Sequence, residues 1–180
     1  MTARSLTASS LALGALALVG CADRAALLPV GRAAPDFEAV AHDGQTVRLS
    51  SLRGRYVVVY FYPRDETPGC TKEACELRDS WAPLQQAGVV VLGVSTDDAA
   101  SHKAFAEHHH LPFLLLADPD GALCQKFGVP RVFGFAQRVT YLLDREGRVK
   151  QVWPSVSPVG HAAEILRAVA PDAASQGGAT

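Results

Sequence analysis

Two runs of residues constrain the fold of this chain most. Tyr56-Val57-Val58-Val59-Tyr60-Phe61-Tyr62 and Val89-Val90-Val91-Leu92-Gly93-Val94-Ser95 are almost wholly β-branched, aromatic or aliphatic. Neither alternates apolar with polar positions, so each reads as a strand covered on both faces. Pro63 ends the first run. Residues 71–86, between the runs, are rich in Lys, Glu, Ala, Leu and Arg, which is helical composition. The three segments predict a strand–helix–strand unit with a right-handed crossover.

The rest of the chain extends that unit. Residues 98–110 read as a helix, 113–116 as a strand and 121–127 as a short helix. Residues 138–143 and 149–153 pair as a hairpin across Asp144-Arg145-Glu146-Gly147, and 161–169 form a last helix. Near the front, 37–40 and 46–49 flank His42-Asp43-Gly44-Gln45, where Asp-Gly marks a hairpin turn. The expected class is α/β, with a mixed central sheet, helices on both faces and an N-terminal β-hairpin.

With 180 residues and 48% hydrophobic content, the chain is long enough for one domain of about 150 residues plus tails. The 17 basic and 18 acidic residues leave a net charge of −1, which supplies no field for binding nucleic acid. No internal repeat or second domain is visible.

The first 20 residues read as an address rather than as structure. One charge, Arg4, precedes a Ser/Thr stretch and then Leu11-Ala12-Leu13-Gly14-Ala15-Leu16-Ala17-Leu18-Val19-Gly20. This apolar core is too short for a bilayer span, which takes about 20 residues, but suits a signal peptide. Its end, Leu18-Val19-Gly20-Cys21, resembles a bacterial lipobox, which implies lipidation of Cys21 and a membrane-anchored protein of the cell envelope. A simple signal peptide cut near Ala22 is the plainer alternative. The expected organisation is a signal peptide over 1–20, a tether over 21–34, the domain over 35–170 and a disordered tail over 171–180.

The chemistry concentrates in Pro63-Arg64-Asp65-Glu66-Thr67-Pro68-Gly69-Cys70-Thr71-Lys72-Glu73-Ala74-Cys75. Cys70 follows a Pro-Gly turn and begins the helix, where unsatisfied amide N–H groups and the positive dipole end favour a thiolate. Free thiols are only a few per cent ionised at pH 7, and reactive cysteines gain from such surroundings. Free cysteine is more often an inert core residue. That reading does not account for the Pro-Gly turn or for a second cysteine five positions on.

Pro63-x-x-x-Thr67-x-x-Cys70 matches the peroxiredoxin active-site signature, and residues 60–79 resemble the peroxiredoxin Q, or bacterioferritin comigratory protein, branch. The resemblance continues through Leu92-Gly93-Val94-Ser95-Thr96-Asp97, Phe105-Ala106-Glu107, Asp118-Pro119-Asp120-Gly121 and Gly160-His161-Ala162, covering roughly 33–170. It implies a thioredoxin-like fold and a thiol-dependent peroxidase. By position, Cys70 matches the peroxidatic cysteine, which forms a sulfenic acid. Thr67 matches the hydroxyl that bonds the peroxide, and Pro63 the proline that shields the site. Arg138 matches the arginine that polarises the peroxide, and Glu73 the acid that orients that arginine. Read alone, Thr67 also fits a helix N-cap, Glu73 a first-turn acid complementing the dipole, and Arg138 an exposed strand residue.

The resemblance also implies that Cys75 resolves the sulfenic acid as a Cys70–Cys75 disulfide. On an ideal helix their Cα atoms stand about 8–9 Å apart, beyond the usual limit of about 7 Å, so that bond requires the first turns to unwind. Cys124 reads as a packed residue, with an alternative resolving role left open. The implied partners are a peroxide and a thioredoxin or thioredoxin-like reductant. The chain is expected to be a monomer with no cofactor and no metal.

Two rivals are weaker. A thiol–disulfide oxidoreductase usually needs Cys-x-x-Cys, whereas four residues intervene here. A copper-binding assembly factor of the Sco type needs a closer cysteine pair and a positioned histidine. His108-His109-His110 is expected not to converge on one metal, because successive helix residues point about 100° apart. His161 is expected near a helix start. Val132-Phe133-Gly134-Phe135 reads as an apolar loop that suits a pocket wall or an interface.

Overall fold

The computed structural model describes residues 26–173. A hairpin of β1 (Glu38–Val40) and β2 (Thr46–Arg48) leads through a 3-10 turn at Leu49–Leu52 into β3 (Tyr56–Phe61). Then follow α1 (Pro68–Asp79), α2 (Trp81–Gln86), β4 (Val89–Ser95), α3 (Ala99–His108), β5 (Leu114–Ala117) and α4 (Ala122–Phe127). A two-residue-armed hairpin, β6 (Arg131–Val132) and β7 (Phe135–Ala136), precedes β8 (Val139–Leu143), β9 (Val149–Trp153) and α5 (His161–Ala173).

The central sheet has five strands in the order β5-β4-β3-β8-β9. β3 pairs in parallel with β4, and β4 with β5, while β8 is antiparallel to both β3 and β9. The expected mixed sheet is therefore present, and β3 occupies its centre.

β3 shows why its sequence lacks alternation. Val57, Val59 and Phe61 enter one core, with the N-terminal hairpin, α4 and Tyr141. Tyr56, Val58 and Tyr60 enter the other, with α1, α2, α3 and α5. A period of two is still operating, but both faces are apolar because both are covered. Burying each large side chain contributes on the order of 1.5–3 kcal/mol, so this strand is the best-anchored part of the sheet.

Three boundaries differ from the sequence reading. The helix expected over 71–86 is two helices that meet at Ser80 (φ −96°, ψ 13°). Pro83 explains the break: it donates no N–H, which is tolerated in the first turn of a new helix and not inside a continuing one. The tether expected over 21–34 is packed from Leu27 onward. Leu27 and Leu28 lie against the hairpin-side core, the Leu28 N–H donates to the Tyr141 hydroxyl at 3.1 Å, and Gly31 N–H donates to Val149 O at 2.7 Å. Its leucines bury apolar area that a free tether would leave in water. The last helix runs to Ala173, into the segment expected to be a disordered tail. Cys21 and the signal-like segment lie outside the described residues. Among the described residues, no helix is long and apolar enough to cross a membrane.

Candidate active site

The register of the sheet builds the site. Phe61 at the end of β3 pairs with Val139 at the start of β8, so Arg138 stands beside the loop that leaves β3. That loop carries Pro63 and Thr67 and feeds directly into α1, whose third residue is Cys70. Pro63 and Thr67 are half-buried.

The loop is pinned by buried polar groups. Tyr62 N–H donates to Val94 O at 3.0 Å, and the Tyr62 hydroxyl donates to Asp65 Oδ1 at 2.7 Å. Asp65 Oδ2 accepts from the Ser101 hydroxyl at 2.7 Å and lies 2.9 Å from His102 Nδ1. Asp65 N–H donates to Asp97 Oδ2 at 2.9 Å. Burial pushes the Asp65 carboxyl up, and hydrogen bonds from His102, Ser101 and Tyr62 outweigh it, holding it below its ordinary range. Sequence reading missed this network, because its members come from β3, β4, the loop and α3.

Cys70 is 2% exposed, between Pro68 and Gly69 at the helix start and the apolar core around Tyr60 and Ala74. Burial alone would mark an inert thiol. A guanidinium meets it, however: Arg138 Nη2 donates to Cys70 Sγ at 3.2 Å. Arg138 Nη1 donates to Glu73 Oε2, so one planar fork joins the sulfur to the carboxylate. Burial opposes the Arg138 charge, but Glu73 and Cys70 outweigh it and hold the guanidinium above its ordinary range. Glu73 has no exposed surface, and burial pushes its carboxyl up to about 7 despite Arg138. Among the described residues, its Oε1 has no hydrogen-bond partner, nor does the buried Tyr60 hydroxyl.

Thr67 occupies the N-cap position of α1 without capping it. Its hydroxyl donates to Arg64 O at 3.0 Å, and no side-chain cap bond is made. The amides of the first turn therefore remain available near Cys70. Gly69, read in the sequence only as half of a Pro-Gly turn, has a further role: a Cβ there would stand 3.3 Å from Arg138 Nη2, so the missing side chain makes room for the guanidinium.

The three cysteines of the described residues are free. Cys75 shares α1 with Cys70 and is half-buried. Cys124 is buried in α4, and burial, followed by a hydrogen bond with Asp118, pushes its thiol up to about 12. His161 begins α5 as expected; its Nε2 lies 3.0 Å from the Thr140 hydroxyl and burial lowers its basicity. The apolar loop is the β6–β7 hairpin, with Phe133 96% exposed and Phe135 beneath the Arg64 guanidinium at 5.9 Å.

The histidines close α3 ahead of Pro112, and two of them share one carboxylate. His108 Nδ1 and His109 Nε2 both reach the Glu66 carboxylate, at 3.0 and 3.1 Å. The 100° spacing fails here because α3 ends at His108 and His109 is its C-cap, and because the two rings use different nitrogens.

An Arg138–Cys70 contact at a helix start, backed by a buried acid, makes a nucleophilic sulfur with a cation fixed beside it. Residues 30–152 match the AhpC/TSA family. The chain is 43% identical over 146 residues to a putative peroxiredoxin bcp of Coxiella burnetii, covering 77% of this chain and 97% of that one. It is 43% identical over 147 residues to peroxiredoxin Bcp of Bacillus subtilis, covering 78% and 94%. Among solved structures, the bacterioferritin comigratory protein of Xanthomonas campestris superposes with a TM-score of 0.75 at 33% identity, covering 81% of this chain and 99% of that one. The fold is accordingly thioredoxin-like, and the chain belongs to the AhpC/TSA family, in the Bcp/PrxQ branch of the peroxiredoxins, as a thiol-dependent peroxidase.

Proposed function

We propose that Cys70 is the peroxidatic sulfur and that Cys75 resolves it. The observation that carries this reading is the 3.2 Å approach of Arg138 Nη2 to Cys70 Sγ, with Glu73 holding the other arm of the guanidinium. The Cys70 thiolate attacks one peroxide oxygen, an S–O bond forms, and the O–O bond breaks. The electron pair leaves on the second oxygen, which takes a proton and departs as water or an alcohol. Arg138 and first-turn amides face the charge that develops there, and the Thr67 hydroxyl joins them once it turns from Arg64 O. Pro63, at the end of the strand, screens the sulfur from water.

The Cys75 thiol then attacks the Cys70 sulfenic acid, forming the disulfide and releasing water. Both cysteines lie on one continuous helix, so its first turns must open. A dithiol reductant of the thioredoxin type restores both thiols. Hydrogen peroxide and organic hydroperoxides are the substrates; the X. campestris relative is described for alkyl peroxide reduction, and the exposed apolar hairpin beside Arg64 suits an organic tail. The domain acts as a monomer.

The lipobox-like Leu18-Val19-Gly20-Cys21 supports an envelope location, with a lipid on Cys21 as the anchor. An exported thioredoxin-like donor is then required, because the periplasm is kept oxidising.

Stopped-flow oxidation tests the reading. Cys70→Ser abolishes peroxide consumption, Cys75→Ser allows one turnover and stops, and mass mapping of the oxidised wild type finds Cys70–Cys75. Full turnover in Cys70→Ser, or a bond to Cys124, refutes it. Incorporation of labelled palmitate, lost in Cys21→Ser, tests the anchor independently.

A further inference from the structure

The loop that leads into α1 makes a second cluster whose chemistry the peroxidase reaction does not use. Glu66, one residue before Thr67, faces outward with both carboxylate oxygens engaged by imidazoles: Oε1 by His108 Nδ1 at 3.0 Å and Oε2 by His109 Nε2 at 3.1 Å. The three donor atoms lie within 4.8 Å of one another. Four ligands at Zn–N and Zn–O distances of about 2.0–2.1 Å stand about 3.3–3.4 Å apart, so the two imidazole–carboxylate spacings need to open by only a few tenths of an ångström, and the remaining donor spacing is within 4.8 Å.

The scaffold holds the donors where they are. α3 closes in a Schellman arrangement, with Leu111 N–H donating to Ala106 O at 2.9 Å and His110 N–H to Glu107 O at 3.3 Å. His110 supplies the left-handed residue at φ 51°, a position usually filled by glycine. The His109 ring packs edge-on against Phe105 at 5.0 Å and lies 4.3 Å from the His108 ring, tilted by 32°. Glu66 itself is left-handed at φ 56°. Two non-glycine residues in that sparsely allowed region thus bring the carboxylate from one element and two imidazoles from another to a single point. The side chains of His108 and Glu66 are 69% and 49% exposed, which leaves a fourth position to water.

We propose that Glu66, His108 and His109 form a surface site for a borderline divalent transition ion, with Zn²⁺ as its simplest occupant. Two nitrogen donors and one carboxylate suit Zn²⁺, Co²⁺, Ni²⁺ or Cu²⁺ and suit Mg²⁺ or Ca²⁺ poorly, since those prefer all-oxygen shells. The ion takes the lone pair of each nitrogen that now bonds Glu66, so any proton there moves to the far ring nitrogen or is released.

The test is Zn²⁺ titration by calorimetry on the untagged full chain carrying Cys21→Ser, Cys70→Ser and Cys75→Ser, which removes competing thiolates. One equivalent is expected to bind, and Co²⁺ in its place to give visible d–d absorption. Glu66→Gln and His108→Gln, both at exposed positions, should each weaken binding at least tenfold, while His110→Asn, which keeps a residue suited to the left-handed conformation and removes the imidazole, should bind as the parent does. Circular dichroism of the metal-free variants should match the parent. Absence of saturable Zn²⁺ binding, retention of binding in Glu66→Gln/His108→Gln, or dependence on His110 overturns the site.

Discussion

A methyl group placed on Gly69 would stand 3.3 Å from the Nη2 of Arg138, tighter than an ordinary van der Waals contact. That atom is the one that donates to Cys70, and its partner nitrogen is fixed on Glu73, so the guanidinium has little room to retreat. Gly69→Ala should therefore lower the rate of thiolate attack on peroxide by roughly 3- to 10-fold, since small misplacements of a positioned group are costly. Alanine also suits the first turn of a helix better than glycine, by about 0.5–1 kcal/mol. Thermal unfolding at or above the parent temperature, together with slower stopped-flow oxidation, is the expected pair of results.

Glu73 links the site to pH. Its carboxyl, ordinarily near 4.5, holds its proton until about 7 in the folded protein because it is buried. A folded-state value above the unfolded one gives a stabilising contribution that is full below about 4.5 and lost as pH rises through about 7. Glu73→Gln removes that dependence. Relative to the variant, the wild type should lose on the order of 3 kcal/mol between pH 4.5 and 8, measured by urea unfolding across that range. The inflection near pH 7 in the rate of peroxide reduction should vanish with the same substitution.

Cys124 should be chemically silent. Burial pushes its thiol up to about 12, and Asp118 accepts from the α4 backbone at Leu123 and Cys124, at 2.8 and 2.9 Å, which fixes the start of that helix. Alkylation of the reduced native protein at pH 8, read by mass mapping, should modify Cys75 and spare Cys124. Cys124→Ala should keep peroxide turnover within about twofold while costing about 1–2 kcal/mol of stability through lost packing.

The Tyr62–Asp65 contact holds the active-site loop from behind. Tyr62→Phe deletes the 2.7 Å hydrogen bond to a carboxylate, a loss of about 1.5–3 kcal/mol. Asp65 sits below its ordinary range, so its contribution is present above about 3.8 and disappears as pH falls through the folded value. Without the Tyr62 donor that folded value rises, and acid unfolding should begin at a higher pH in Tyr62→Phe, followed by circular dichroism.

The central strands were legible because β-branched and aromatic residues run unbroken in β3 and β4, and a strand buried on both faces needs that composition. Cys70 was legible from the Pro-Gly pair before it, although that pair forms the first two residues of α1 rather than a turn ahead of it. Arg138 was not legible from local pattern: it matters because the β3–β8 register carries it to Cys70, and only the family resemblance pointed there. The break at Ser80 could have been read from Pro83, whose missing N–H argues against one continuous helix. The meeting of Tyr62, Asp65 and His102 carries no local signal, since each is unremarkable until three elements pack. The meeting of His108 and His109 on Glu66 was not legible, because interior helix spacing does not apply where α3 ends.

α1 is held unevenly. Its far half is fastened by buried Leu77 and by Gly160 N–H donating to Glu76 at 2.6 Å, whereas its near half is held through the Arg138 fork on Cys70 and Glu73, with no side-chain clasp from Thr67. Were the two sulfurs to join as proposed, the near end would have to reshape, and the spent and fresh forms would then differ in outline at the surface a reductant meets.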